Sequence, residues 1–161
     1  MKIIALYGAK HSKKDVVAFK LSQYSDCVWV KPYTDWEDPV NLEDYEQDDL
    51  VHMNERKLSA KMEREVPFCM TEVNGHRYVF FENQFNAGYC VMIVDDRALM
   101  YLKNNWDGDL VTVICHSKNE EYSDRSLLSD EEFDIVFDAD SGDYGELEEL
   151  VGDIYDFKVK A

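Results

Sequence analysis

The residues best suited to chemistry lie in a loop that follows a short apolar segment at the start of the chain. Gly8 opens this loop, Ser12 ends its spacer, and Lys14 stands where the phosphate-binding pattern G-x-x-x-x-G-K-[ST], the P-loop, has its lysine. Lys13 replaces the second glycine, and Asp15 replaces the hydroxyl residue that binds magnesium. A glycine there lets backbone N–H groups surround a phosphate, and the charge of Lys13 is not expected to restore that geometry. The spacing therefore predicts a phosphate-binding loop with part of its chemistry altered.

The cations of this loop leave two interpretations open. Lys14 either contacts the β- or γ-phosphate of a nucleotide, or it belongs with Lys10 and Lys13 to an exposed basic loop. The stretch from Lys10 to Lys14 also keeps direct nucleic-acid binding open, as the least favoured function. Asp15 can ligate Mg²⁺ as a carboxylate, yet it places negative charge beside a polyphosphate. His11 is interpreted as an ordinary exposed loop histidine.

A pair of acids marks a second candidate site. Asp95 and Asp96 follow a nearly continuous apolar run, which is typical of a strand buried on both faces. Asp95 is a weak candidate metal ligand, whereas Asp96 is the favoured cap of the helix predicted to follow. His116, at the end of another apolar run, is interpreted as a packing residue. The sequence therefore predicts at most a weak metal site at Asp95.

The elements that must position these residues alternate between strands and helices. Apolar and alternating runs predict strands at 2–7, 26–33, 68–74, 77–81, 89–94, 110–115 and 134–139. Helices are predicted at 15–24, 50–65 and 97–105, and a last one after Asp143 has one apolar face made of Leu147, Leu150, Val151, Ile154 and Phe157. Asn74 and Gly75 form a turn dipeptide between two of the strands. This alternation predicts an α/β fold with a mainly parallel sheet.

Composition places the chain among globular proteins with an acidic surface. Its 161 residues predict a single domain, 1–161, and no apolar run is long enough to span a membrane. The net charge is −17, and residues 81–161 carry 20 acids against 6 bases, a balance of −14. Such charge disfavours a phosphate backbone and favours a partner with a basic surface, although solubility alone also explains it. The four cysteines lie among apolar residues, which is typical of buried thiols in the cytoplasm.

The order of these landmarks resembles the guanylate kinases, a family of P-loop nucleoside monophosphate kinases. The similarity is carried by the loop 8–15, by YTDW at 33–36, by EVNGHRY at 72–78, by VMIVD at 91–95 and by FDIVF at 133–137. It extends over nearly the whole chain, and short guanylate-kinase-like proteins of phages are the most similar members. The resemblance implies a three-layer P-loop kinase-like fold with a small monophosphate-binding-like subregion at 34–88 and a truncated lid.

The resemblance also implies roles for single residues. Thr34 and Tyr78 match monophosphate-binding positions of the family, and Asp95 matches its Walker-B-like aspartate. Trp36 stands in place of the arginine that grips the phosphate, so a bidentate donor is lost. Met70 stands in place of the glutamate that reads guanine.

The lid departs furthest from the family. There a long, arginine-rich helical segment closes over the phosphates, whereas only residues 117–132 span the corresponding gap here, with Arg125 as the single arginine. In the monophosphate-binding-like subregion, Phe80 stands where the family has a serine or threonine. Because phosphoryl transfer depends on positive charge around the moving phosphate, these departures imply a very poor kinase.

Three functional hypotheses follow, in order of preference. The first is a non-catalytic guanylate-kinase-like protein that binds a macromolecular partner, as a phage or mobile-element protein that modulates its host from the host cytoplasm. The second is an active nucleoside monophosphate kinase with an atypical P-loop, which would use ATP and Mg²⁺ through Lys14, Asp15 and Asp95. The third is an acidic mimic of nucleic acid that occupies a basic nucleic-acid-binding protein.

Overall fold

Strands and helices alternate along the computed structural model, which describes residues 1–8, 12–36, 50–73, 75–117, 129–139 and 144–157. The strands in these ranges are β1 (Lys2–Gly8), β2 (Cys27–Trp29), β3 (Tyr33–Thr34), β4 (Val51–His52), β5 (Pro67–Val73), β6 (His76–Phe81), β7 (Tyr89–Ile93), β8 (Asp109–His116) and β9 (Ile135–Asp138). The helices are α1 (Lys14–Leu21), α2 (Glu55–Arg64), α3 (Asp96–Asn105) and α4 (Tyr144–Asp156).

Five strands form a central sheet in the order β2-β7-β1-β8-β9, and every pairing in it is parallel. β1 occupies the middle, where Leu6 lies opposite Ile93 of β7 and Val113 of β8. Its unbroken run of buried residues is typical of a strand covered on both faces. The predicted α/β fold with a mainly parallel sheet is confirmed.

The central sheet is the middle of three layers. On one face, Ile4 of β1 shares a core with Val17 of α1 and Ile154 of α4. On the other face, the neighbouring Ile3 shares a core with Leu99 of α3 and with residues of the β5–β6 hairpin. Successive side chains of a strand point to opposite faces, so β1 contributes to both cores in turn.

A second sheet of four strands has the order β4-β3-β6-β5. Its strands β5 and β6 form an antiparallel hairpin, and Gly75 at the turn has a φ of +80°, a conformation that suits glycine. α2 covers this sheet, where Leu58 shares a small core with Val79 and Phe81. These elements fall in the part of the chain for which the resemblance implies a separate small subregion.

Two predictions of local structure are wrong. The strand predicted at 26–33 is two strands in different sheets, because Pro32 lacks the N–H that would continue the pairing with β7. The helix predicted at 50–65 begins only at Glu55. Asn54 caps it by accepting a hydrogen bond from the Lys57 N–H at 2.8 Å, and the residues before it form β4.

The last helix, α4, closes the first face of the central sheet as predicted. Its buried side chains are Leu147, Leu150, Val151 and Ile154, whereas Phe157 is half-buried. Asp143, predicted at its start, lies outside the described residues. None of the helices in the described ranges is long and apolar enough to cross a membrane.

All four cysteines are buried and free, namely Cys27, Cys69, Cys90 and Cys115. Burial raises the pKa of the Cys27, Cys69 and Cys115 thiols to about 12, because a thiolate is poorly solvated in an apolar interior. The prediction of buried thiols is confirmed.

We expect Gly8→Ala to destabilise the protein, because a Cβ there would lie 2.4 Å from the Cys115 carbonyl oxygen and 2.8 Å from Ser12 Oγ. The expected loss in the free energy of unfolding is about 2 kcal/mol, as for overpacked positions. Gly152→Ala in α4 is the matched control, since a Cβ there meets nothing within 4 Å and should stabilise the helix by about 1 kcal/mol. Urea denaturation measures both variants, and equal stabilities would contradict this account of Gly8.

Candidate functional site

The carboxyl end of β1 leads into the predicted phosphate-binding loop, where Gly8 lies opposite Cys115 of β8. Lys14, the first residue of α1, is only 2% exposed, and its Nζ donates a hydrogen bond to the Gly8 carbonyl oxygen at 2.6 Å. Its ammonium group therefore points into the loop. The interpretation of Lys14 as part of an exposed basic loop is wrong, whereas Lys10 and His11 lie outside the described residues.

Lys13, in the position of the second P-loop glycine, has a left-handed backbone conformation, which glycine adopts more readily than other residues. Its φ is 64° and its ψ is 16°, and no other non-glycine residue in the described ranges has a positive φ. The expectation that lysine does not restore the phosphate-binding geometry stays a prediction, because residues 9–11 of the loop lie outside the described residues. A left-handed conformation costs a residue with a Cβ about 1–2 kcal/mol, which the surrounding contacts must offset.

Ser12 places a polar atom inside the loop. Its side chain is fully buried, and its Oγ has no hydrogen-bond partner among the described residues. A buried hydroxyl without a partner costs about 1–3 kcal/mol, so a group that enters the loop and bonds this oxygen is stabilised. Together with the Lys14 ammonium and the N-terminus of α1, this donor set suits a phosphate. Asp15, in the first turn of α1, is half-buried and carries the opposite charge.

Asp95, the weak metal candidate, is engaged in capping α3. Its Oδ1 accepts from the Ala98 N–H at 2.8 Å, and Thr71 Oγ1 lies 3.5 Å from its Oδ2. The prediction that Asp96 caps this helix is wrong, because Asp96 is already its first residue. Burial raises the pKa of Asp95. Within the described parts of the chain, no group of three or more His, Cys, Asp or Glu side chains could hold a metal ion.

The segment after β3 holds a charged network that the sequence does not predict. Asp35 Oδ1 accepts from the backbone N–H of Arg77 at 2.9 Å, and its Oδ2 accepts from Arg77 Nε at 3.0 Å. His76 Nδ1 lies 3.5 Å from the same carboxylate, and its ring stacks on Trp36 with 4.9 Å between centroids. Burial acts to raise the pKa of Asp35, but the hydrogen bonds and charge of Arg77 outweigh it and lower the pKa.

Arg77 uses its remaining donors on α2. Its Nη2 donates to Ser59 Oγ at 3.0 Å and to the Glu55 carbonyl oxygen at 3.2 Å. The guanidinium thus ties β6, the Asp35 segment and α2 together. Thr34, just before Asp35, is buried, and its Oγ1 accepts from the Trp36 N–H at 3.2 Å. Thr34, Asp35 and Arg77 are therefore engaged with neighbouring groups of the protein.

The other positions singled out by the resemblance have different surroundings. Tyr78 and Phe80 are buried in β6, in the cores on opposite faces of the central sheet. Met70 of β5 is 48% exposed. Arg125, and with it most of the segment interpreted as a truncated lid, lies outside the described residues. The role of Tyr78 in binding a monophosphate stays a prediction.

Sequence reasoning missed two pairs of side chains because the partners are distant along the chain. His116 Nε2 lies 2.7 Å from Asp130 Oδ1, which links the end of β8 to the turn before β9. Asp35 and Arg77 are 42 residues apart. The signal available in the sequence for this pair was its opposite charges. The resemblance places both residues in one subregion.

Exposed acids cover the final part of the described chain. Residues 129–139 and 144–157 contain no lysine or arginine. Their exposed acidic side chains are Asp130, Glu131, Glu132, Asp134, Asp138, Glu146, Glu148, Glu149, Asp153 and Asp156. Glu148 forms an ion pair with Lys20 of α1. The remaining acids give this surface a strongly negative potential.

Solved structures show the same arrangement of elements. The crystal structure of guanylate kinase from Anaplasma phagocytophilum matches with a TM-score of 0.66 and 14% sequence identity, over 96% of this chain and 84% of that chain. The fold is guanylate-kinase-like. No protein-family model matches the sequence, and no curated protein matches it either. At this level of identity the likeness establishes the fold, and the guanylate-kinase-like fold implied by the order of the motifs is confirmed.

We expect Lys13→Gly to be more stable than Lys13→Ala by about 1 kcal/mol, because both variants remove the charge but only glycine relieves the left-handed backbone at φ 64°. Urea denaturation of the two variants side by side measures the difference. Alanine at least as stable as glycine would show that the left-handed conformation carries no cost at this position.

Proposed function

We propose that this chain is a guanylate-kinase-like protein that does not transfer phosphoryl groups and acts by binding a macromolecular partner. The observation that carries the proposal is the engagement of Arg77 by Asp35, in the subregion that would hold the acceptor monophosphate. Trp36, stacked on His76, stands in the place of the gripping arginine, and the guanidinium of Arg77 is already paired with a carboxylate.

Phosphoryl transfer needs two phosphates held in line and positive charge around the one that moves. Among the described residues of the loop, Ser12 and Lys14 are the donors available to a phosphate, and Asp15 adds negative charge beside them. Asp95 is bound to the start of α3, so its carboxylate is a poor ligand for Mg²⁺. These features support a protein without kinase activity.

The acidic surface of α4 and β9 supports a basic partner. Its exposed carboxylates have no lysine or arginine among them in the described residues of that region, and such a field accelerates encounter with a positively charged protein. The proposal includes a phage or mobile-element origin, in which this surface would meet a host protein in the host cytoplasm. A nucleic-acid-binding host protein would make the chain an acidic mimic.

A second candidate function is nucleotide binding, with or without transfer. The left-handed Lys13 and the buried Ser12 hydroxyl favour it, because left-handed residues occur in backbone turns that bind anions and a buried hydroxyl can donate to a phosphate. ATP would place a phosphate at Ser12, Lys14 and the N-terminus of α1. Mg²⁺ suits the site less well, since Asp15 and Asp95 are the only acids that the second hypothesis assigns to it.

We expect no phosphoryl transfer from ATP to GMP or to other nucleoside monophosphates in the presence of Mg²⁺, because Trp36 replaces the gripping arginine and Asp35 engages Arg77. Detection of ADP over hours at high protein concentration measures this. Turnover that Lys14→Ala abolishes and the control Lys57→Ala on exposed α2 preserves would overturn the proposal. Thermal unfolding with ATP alone separates binding from transfer, since a shift in Tm without ADP would support the second candidate as a binding function.

We expect reversal of two exposed acids of α4, Glu149→Lys with Asp153→Lys, to weaken binding of a basic partner at least tenfold, because both the steering field and the contact charges change. The control reverses Asp107 and Asp109, which lie exposed at the start of β8 and change the net charge equally. The affinity of each variant for a basic partner protein is measured at low and at physiological salt. Equal losses of affinity in both variants would show that the interaction depends only on net charge. Competition between DNA and this chain for the partner would identify a nucleic-acid mimic.

A further inference from the structure

The carboxylate of Asp35 is held as a bound anion would be. It accepts from the Arg77 N–H at 2.9 Å and from Arg77 Nε at 3.0 Å, with His76 Nδ1 3.5 Å away. Its side chain is 5% exposed, so almost all of its solvation comes from these groups. A backbone amide, a guanidinium and an imidazole around one carboxylate are the donors that proteins use to bind oxyanions.

The donors belong to elements other than the segment that carries the acceptor. Arg77 and His76 lie in β6, and the Arg77 guanidinium is fixed from behind by Ser59 Oγ and the Glu55 carbonyl oxygen of α2. Asp35 follows β3 and reaches these donors with its side chain alone. The donor set is therefore built by β6 and α2, and removal of the Asp35 carboxylate leaves their positions defined.

We propose that Arg77 and His76 form an oxyanion-binding site and that Asp35 is its internal ligand, which closes the site to the phosphate or carboxylate group of an external ligand. This inference extends the proposed function, since the loss of phosphate binding in this subregion is part of that proposal. It gives a cause for this loss: the donors for an oxyanion are present, but the carboxylate of Asp35 occupies them.

The internal ligand has a large advantage over an external one. A side chain tethered next to its site acts at a high effective concentration, whereas a free anion must also lose its translational freedom. Truncation of Asp35 removes this competitor and leaves two partly buried donors of Arg77 unpaired, which is costly. A small oxyanion that enters the space restores both hydrogen bonds, so it should stabilise the truncated variant and leave the wild type unchanged.

The test compares the thermal unfolding of wild type, Asp35→Ala and Asp35→Asn in sodium phosphate, sodium formate and sodium chloride at equal ionic strength. We expect Asp35→Ala to unfold about 5–10 °C below wild type in chloride, and phosphate or formate to recover about 2–4 °C of this loss with saturation. The asparagine variant should show no recovery, because its amide fills the same space. Any effect of phosphate at the loop near Lys14 is common to all three proteins and cancels in the comparison.

A second variant assigns the recovery to Arg77. Asp35→Ala combined with Arg77→Lys keeps the positive charge and the backbone N–H but loses the guanidinium Nε–H that completes the donor pair, so its Tm should respond equally to all three salts. If Asp35→Ala is unfolded in chloride, the same comparison is made by circular dichroism of its refolding in each salt. Equal responses of Asp35→Ala to the three salts, or recovery that survives in the double variant, would overturn the inference. The recovery of Tm in phosphate compared with that in formate shows whether the site prefers a tetrahedral or a planar oxyanion. Phosphoryl transfer is measured separately and does not depend on this result.

Discussion

The parallel pairing of β1 with β7 on one side and β8 on the other is the constraint on which the rest of the structure depends. Because the three strands run in the same direction, their carboxyl ends meet at one edge of the sheet, which is where ligands bind in open α/β folds. Gly8, Asp95 and His116 are brought to this edge although the chain separates them widely. The Cys115 carbonyl oxygen fills the space beside Gly8, so the pairing of β1 with β8 leaves no room for a side chain at position 8.

Arg77 connects the strands of the second sheet with the helix that covers it. A partly buried arginine needs its donors satisfied and its charge paired, and Asp35, Ser59 and the Glu55 carbonyl oxygen do this for Arg77. A binding site leaves such donors unpaired until the ligand arrives, at a cost to stability. Here the second sheet is stabilised by the same groups, so the oxyanion binding proposed above would compete with stability for one guanidinium.

The central sheet, the hairpin at Gly75 and the apolar face of α4 could be predicted from the sequence, because each depends on short-range patterns of apolar and turn residues. The break after β2 and the late start of α2 depend on Pro32 and Asn54, single residues whose effect is set by the neighbouring strand or helix. The left-handed backbone of Lys13 is one that lysine rarely adopts, so the residue type alone does not predict it. The pair of Asp35 and Arg77 needs the folded hairpin, which brings together residues 42 positions apart.

The four buried thiols carry a further consequence, which concerns motion. They are distributed over β2, β5, β7 and β8, and burial raises the pKa of all four, so each stays protonated and shielded at neutral pH. Oxidants, metals and thiol reagents can reach a given cysteine only when its own strand opens. Since β2 and β5 lie at sheet edges and β7 and β8 flank β1, Cys27 and Cys69 should become reactive earlier than Cys90 and Cys115. The order in which the four thiols react therefore reports the order in which the sheet edges and the sheet centre open.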